Sequence, residues 1–264
     1  MSLRYSTGLR NALAAGKDLA SALAEGRLFV YSGAQPADPD TGADAFTTLV
    51  IFTKDGNAYT APASATGSIT LSGSGVGGGS VDTLKVGGMA ENLLGGSVPW
   101  NTDLATTTDD VADAINATKN ALEIIAVSDG VDTVTLYAPI RLGAQAAGLT
   151  VASTETAGTS LAVADTGFTG GTDAVNGLNL TFPAAAGVIT KDSDTWSGTV
   201  LASGNAGWFR FVAGGSSPNG SSTTDVRMDG TIAVGGGDMT VSTLALAISN
   251  VETFSTFQLT IPAS

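Results

Sequence analysis

Short runs of β-branched and aromatic residues, each closed by glycine or an Asp-Gly pair, recur along this 264-residue chain. Runs of that length, bounded by turn residues, favour strands over long helices. Thirty-five glycines supply the breaks. The chemistry available is narrow, because the chain has no His and no Cys. The usual sources of a group titrating near neutrality, a thiolate or a nitrogen–sulfur metal cage are therefore missing. Carboxylates, hydroxyls and a few amines remain. The composition points to a non-enzymatic, β-rich scaffold whose stability uses no disulfide.

Bulk numbers narrow the partners. Eleven basic residues stand against twenty-four acidic ones, a net charge of -13. That balance argues against a nucleic-acid backbone as ligand, which needs a basic footprint. No run of 18 apolar residues appears, so no membrane-spanning helix is expected, and the first residues lack the apolar stretch of a signal peptide. Synthesis in the cytoplasm is the expectation. Charged residues make up 13% of the chain, about half the ~25% of ordinary soluble domains. Apolar content of 43% is too high for disorder. Low charge with a normal core fits a surface partly covered by neighbouring subunits.

Three textures follow one another. Residues 1 to about 26 read as a helical arm, with Ser6 or Thr7 as cap, Leu9 and Leu13 on one face, a break at Gly16, and a second turn ending at Gly26. Arg4, Arg10, Lys17 and Arg27 place four of the eleven basic residues in or beside this arm. It reads either as an amphipathic cap on its own sheet or as an arm that docks on an acidic neighbour, with Arg4, Tyr5, Arg10 and Arg27 making the contact. Strands are expected at 27–33 and 47–53, the second ending in the hairpin tip Asp55-Gly56.

From about 57 to 176 the pattern is strand, strand, helix, hairpin, strand. Strands are expected at 68–71, 81–86, 122–127, 131–138 and 148–153, and the Gly-rich stretch 73–80 reads as a flexible connection or a wide hairpin tip. Thr107 and Asp110 match a capping box before the apolar stripe Val111, Ala112, Ala114 and Ile115. Asp109, Asp110 and Asp113 then crowd the first turns, where the helix dipole favours negative charge. Ser128-Asp129-Gly130 is a hairpin turn between alternating runs.

Residues 177–264 return to the first texture, with strands at 178–182, 199–201, 207–212, 225–228, 239–241 and 254–261. Phe257, Leu259 and Ile261 alternate with polar residues, which predicts one buried and one wet face. Trp208 and Phe211 are expected in the core. The fold class is therefore mainly β: an antiparallel β-sandwich with an N-terminal helical arm (1–56 plus 177–264), interrupted by an inserted small α+β domain (57–176).

Candidate sites each have a plainer reading beside them. Asp38, Asp40 and Asp44 could hold a hard cation, but the loop lacks EF-hand spacing, and a solvated turn explains it. The helix aspartates could form an acid/base pair, yet their place at a helix start explains them without catalysis. The 73–80 stretch has no G-K-[ST] ending and is no phosphate loop. Trp196, Trp208, Phe209 and Phe211 could form a sugar platform, though core packing is the commoner use. No catalytic, cofactor or metal residue is assigned.

The segments Arg4-Tyr5-Ser6-Thr7-Gly8-Leu9-Arg10-Asn11, Tyr31-Ser32-Gly33-Ala34-Gln35-Pro36, Trp196-Ser197-Gly198-Thr199 and Gly207-Trp208-Phe209-Arg210-Phe211, with the end Leu259 to Ser264, resemble a group of virion structural proteins of tailed bacteriophages. Gly67 to Leu71 and Asp110 to Asn116 look like a small module inserted in many phage structural proteins. The resemblance implies a structural virion component in head decoration, neck or collar, or tail. Its partners would be copies of itself in a symmetric homo-oligomer and other virion proteins such as capsid, portal or tail. It brings no catalytic residues. A receptor- or glycan-binding adhesin of the virion is the alternative.

Overall fold

The computed structural model describes residues 3–73, 78–118, 120–156, 161–185 and 188–260. The fold is mainly β, built from antiparallel sheets with few helices. The first segment supplies β1 (Arg4–Tyr5), α1 (Thr7–Ala14), α2 (Leu19–Ala22), β2 (Arg27–Ser32) and β3 (Thr48–Lys54). The middle supplies β4 (Thr66–Ser72), β5 (Ser80–Val86), β6 (Val98–Pro99), α3 (Leu104–Ala117), β7 (Ile125–Ser128), β8 (Thr133–Tyr137), β9 (Val151–Thr156) and β10 (Ala162–Thr169). The last segment opens with β11 (Leu180–Ala185), β12 (Val188–Lys191), β13 (Trp196–Thr199), β14 (Gly204–Val212) and β15 (Arg227–Ala233). It closes with β16 (Met239–Thr240), β17 (Ala245–Leu246), β18 (Val251–Phe254) and β19 (Gln258–Thr260).

Two compact units result, Met1–Ala61 with Ala174–Ser264 and Pro62–Asp173. The boundaries fall inside the 57 and 176 expected from composition, and hydrogen bonds give the reason. Thr60 bridges Val175, and the Asn176 side chain donates to the Ala58 carbonyl at 2.7 Å, so these flanks are tied to the first unit. Asp55 and Gly56 both have positive φ, as a tight hairpin tip requires.

In the first unit one sheet runs β1-β15-β14-β2-β3-β13-β18, with β16 beside β15 and β17 beside β14. Its inner face packs Leu28, Val30, Phe52, Phe209 and Phe211 against Leu9 and Leu23 of the arm, Leu180 and Ile189 of the sheet β11-β12-β19, and Phe257. Its outer face is covered too. Phe29, Tyr31, Trp208 and Val212 lie under Ala43 and Phe46 of the 34–46 loop. Trp208 stacks on Tyr31 at 4.3 Å between ring centroids and meets Phe46 edge-on. Trp208 and Phe211 are both fully buried, on opposite faces of β14. Each such side chain contributes about 1.5–3 kcal/mol by leaving water. Gly207 marks the β14–β2 bulge, where a Cβ would sit 1.9 Å from the Gly33 carbonyl oxygen.

Several boundaries differ from expectation. The arm begins as strand β1, not helix. Gly16 does break the run, with φ +90°, but the left-handed residue after α2 is Glu25 rather than Gly26. Gly26 bridges Leu178 instead. The expected 254–261 strand divides into β18 and β19, because β19 leaves the large sheet to pair with β12. Phe257 is buried as expected, while Ile261 lies outside the described residues. So does the 74–77 part of the glycine-rich stretch.

The second unit has sheets β10-β4-β8-β7 and β6-β5-β9 with α3. Ile69, Leu71, Leu84, Val111, Ile115, Val134, Leu136 and Phe168 fill its core. On β8, Val134 and Leu136 are buried, whereas Thr133, Thr135 and Tyr137 point outward. The helix starts earlier than the capping-box reading had it: Asp103 is the cap, accepting from the Thr106 N–H at 2.8 Å. Thr107 lies inside the first turn and donates to the Asp103 carbonyl at 2.7 Å. At the free edge of β7 and just before it, two carboxamides occupy outward backbone groups. Asn116 accepts from the Ala126 N–H and donates to its carbonyl, and Asn120 does the same for Ile124, all at 2.7–3.0 Å.

Candidate docking interface

The arm is bound first to its own chain. Ser6 Oγ accepts from the N–H groups of Leu9 (3.1 Å) and Arg227 (2.9 Å) and donates to the Asp225 carbonyl (2.8 Å). Asp40 accepts from both the N–H and hydroxyl of Thr7. Gly8 is required there, since a Cβ would lie 2.4 Å from the Thr224 carbonyl oxygen. Arg4 and Tyr5 pair with Asp229 and Met228, which makes β1 the last strand of the large sheet. Arg4 also donates to the Pro36 carbonyl. Tyr5 is half-buried, and that burial pushes its phenol up. Arg10 is exposed and donates to Thr7 Oγ1 at 2.8 Å.

Arg27 opens β2, with its guanidinium over the Tyr59 ring (4.2 Å) and near Phe29 (5.1 Å). Burial lowers its pKa, and Tyr59 and Tyr31 oppose that shift. Its Nε is buried without an acceptor. Of the four expected docking residues, then, Arg4, Tyr5 and Arg10 share the arm, and Arg27 is engaged by aromatic rings elsewhere. Arg10 is the one that stands exposed.

The most strongly determined polar constellation is one that sequence reasoning missed. Arg210 and Asp229, both fully buried, form a two-pronged ion pair, with Nε and Nη2 each 2.7 Å from a carboxylate oxygen. The same guanidinium donates to the carbonyls of Pro39, Thr41 and Pro218. Arg227, also buried, reaches Asp225 at 2.6 Å and the carbonyls of Pro39, Ser217, Asn219 and Gly220. Two irregular loops are thereby fastened over the outer face of the sheet. Burial pushes the Asp229 carboxyl up, while Arg210 pulls it down. Burial pushes Tyr31 up to about 12, so it stays protonated at neutral pH. A signal did exist in the sequence: two of only eleven basic residues interrupt apolar runs, in Trp-Phe-Arg-Phe-Val and Val-Arg-Met.

The remaining candidates resolve locally. Asp38 caps the Asp40 N–H, Asp40 holds Thr7, and Asp44 accepts from the Gly220 N–H at 2.7 Å. Each carboxylate of that loop is tied to the chain, and no group of three or more acidic residues poised for a metal occurs among the described residues. Asp110 accepts from the Asn101 side chain. Trp196, Trp208, Phe209 and Phe211 are 0–1% exposed, so they cannot form the sugar platform. A cavity of about 270 Å³ in the first unit has an apolar floor including Val30, Phe52 and Phe254 and one carboxylate, Glu252. The adjoining cavity contains Asp238, which accepts from the N–H and hydroxyl of Thr231. No helix among the described residues is long and apolar enough to cross a membrane. No protein-family model, curated protein or solved structure matches the chain.

Proposed function

We propose that the chain is a non-enzymatic structural component of a tailed-phage virion, acting in head decoration, neck or collar, or tail. It works by binding copies of itself and other virion proteins. The observation that carries this reading is the use made of buried charge. Arg210, Arg227 and Asp229 fasten surface loops over a sheet covered on both faces, an arrangement suited to holding a fixed outer shape. The sequence resemblance supports the same reading. In this scheme the large-sheet unit docks on neighbours, with Arg10 of the arm and the exposed Leu201, Ile248 and Val251 as contact groups. The acidic surface of the inserted unit faces solvent.

Quantitative mass spectrometry of purified particles tests it. The chain is expected in a fixed copy number compatible with particle symmetry. Recovery only from the soluble lysate would reject the assignment.

A further inference from the structure

The inserted unit carries twelve acidic and three basic residues between Pro62 and Asp173, yet one of its surfaces carries no charge. The register of β10-β4-β8-β7 puts alternate residues on the face away from the core. Every outward position on it is Ser, Thr, Ala, Ile, Val or Tyr. Ile125, Val127 and Tyr137 are 59%, 51% and 40% exposed there. Across the central strands Thr70 and Thr133 share a hydroxyl contact at 3.2 Å, a flat texture of methyls and hydroxyls. Soluble domains average about 25% charged residues, and this chain 13%. Asp129 and Asp132 lie in the turn at one end; Asp129 is taken up by three backbone N–H groups, and Asp132 accepts from the Thr133 hydroxyl at 2.8 Å.

We propose that this face is a contact between inserted units of two copies of the chain, packed sheet against sheet. Charge selects the occupant. Among the described residues a basic partner would find only the Asp132 carboxylate, at the rim of this face beside Thr133, and a nucleic acid no cation. A second copy of a chain at -13 can approach closely only where its charge is absent, and here a two-fold axis sets neutral surface against neutral surface. Pairing through the short β7 edge is hindered, because Asn116 already holds both outward backbone groups of Ala126, and Asn120 those of Ile124 just before the strand. Face-to-face stacking remains open. Four strands of about five residues span roughly 19 by 17 Å, well under the ~800 Å² per partner of a standard interface. The single contact is therefore weak and gains strength by repetition. The acidic remainder of the unit stays turned to solvent.

The inference goes beyond the particle assignment and is tested on the isolated full chain, so either can fail alone. Sedimentation velocity from micromolar to near-millimolar concentration is expected to show a reversible monomer–dimer equilibrium. Thr135→Lys on a central strand and Ala164→Lys on an edge strand should each weaken it by about tenfold or more, since both copies bring the like charge into the contact. Asp113→Lys on α3 should leave it unchanged or tighter. A wild-type chain that stays monomeric throughout would overturn the proposal. So would association that both face lysines leave intact.

Discussion

The two units solve the same problem, finishing a sheet, with different chemistry. In the unit holding both termini, the large sheet is covered on both faces, and buried guanidiniums anchor the loops that cover its outer one. In the inserted unit one sheet face is left uncovered by its own chain, the core is apolar, and neutral carboxamides finish the edge. Among the described residues, the three fully buried charged side chains all belong to the first unit. Irregular backbone needs many donors in one place, which an arginine supplies. A regular edge needs one donor and one acceptor per residue, which an asparagine supplies.

The sharpest test of this contrast is to remove a buried ion. Arg210→Ala or Asp229→Ala should cost about 3–5 kcal/mol, because the surviving charge is left unpaired in the interior. Hydrogen exchange should accelerate in 1–61 and 174–264 while protection in 62–173 holds. A loss shared equally by both units would break the comparison. The converse is Leu136→Ala, which opens a cavity in the inserted core. It should cost about 2–4 kcal/mol and speed exchange in 62–173 alone.

Removing a carboxamide should do less. Asn120→Ala leaves the buried N–H and carbonyl of Ile124 unpaired, an expected loss of about 2 kcal/mol by chemical denaturation. It should also raise the aggregation rate by uncovering the β7 edge. The smallest effect is acid sensitivity. Hydrogen bonds hold three carboxylates of the inserted unit below their ordinary range: Asp82 by the Ser80 hydroxyl, Asp103 and Asp129 by the backbone N–H groups of Thr106 and Thr133. A folded pKa below the unfolded ~3.9 gives stability that is present above that value. It is lost as pH falls through the lowered folded pKa. Asp229 is shifted the other way and adds nothing to this acid lability. Asp129→Asn should therefore lower the melting temperature slightly at pH 7 and not at pH 2, as calorimetry would show.

Legibility in the sequence followed local signals. Ser128-Asp129-Gly130 and the alternation of β8 specify their hairpin without help from the rest of the chain. Strand β10 was not legible, because its Ala, Asp and Gly residues have low β propensity and it is fixed by pairing with β4. The start of α3 was misplaced because Asp103 and Thr107 both satisfy a cap pattern, and the Thr106 N–H bond to the Asp103 carboxylate decides between them. At the candidate interface Ser6 was readable as a cap. Its second role, bridging Asp225 and Arg227, depends on a contact more than two hundred residues away. For Arg210 and Arg227 the apolar neighbours in the sequence signal burial, but nothing local shows which loops will close over them.

Apart from the Asp225 carboxylate, the loop oxygens that Arg210 and Arg227 grip, at Pro39, Thr41, Pro218, Ser217, Asn219 and Gly220, are main-chain carbonyls. The grip therefore reads the path of those loops and is blind to most of the side chains they display. Such a surface can be repainted, one exposed residue after another, while its relief stays the same.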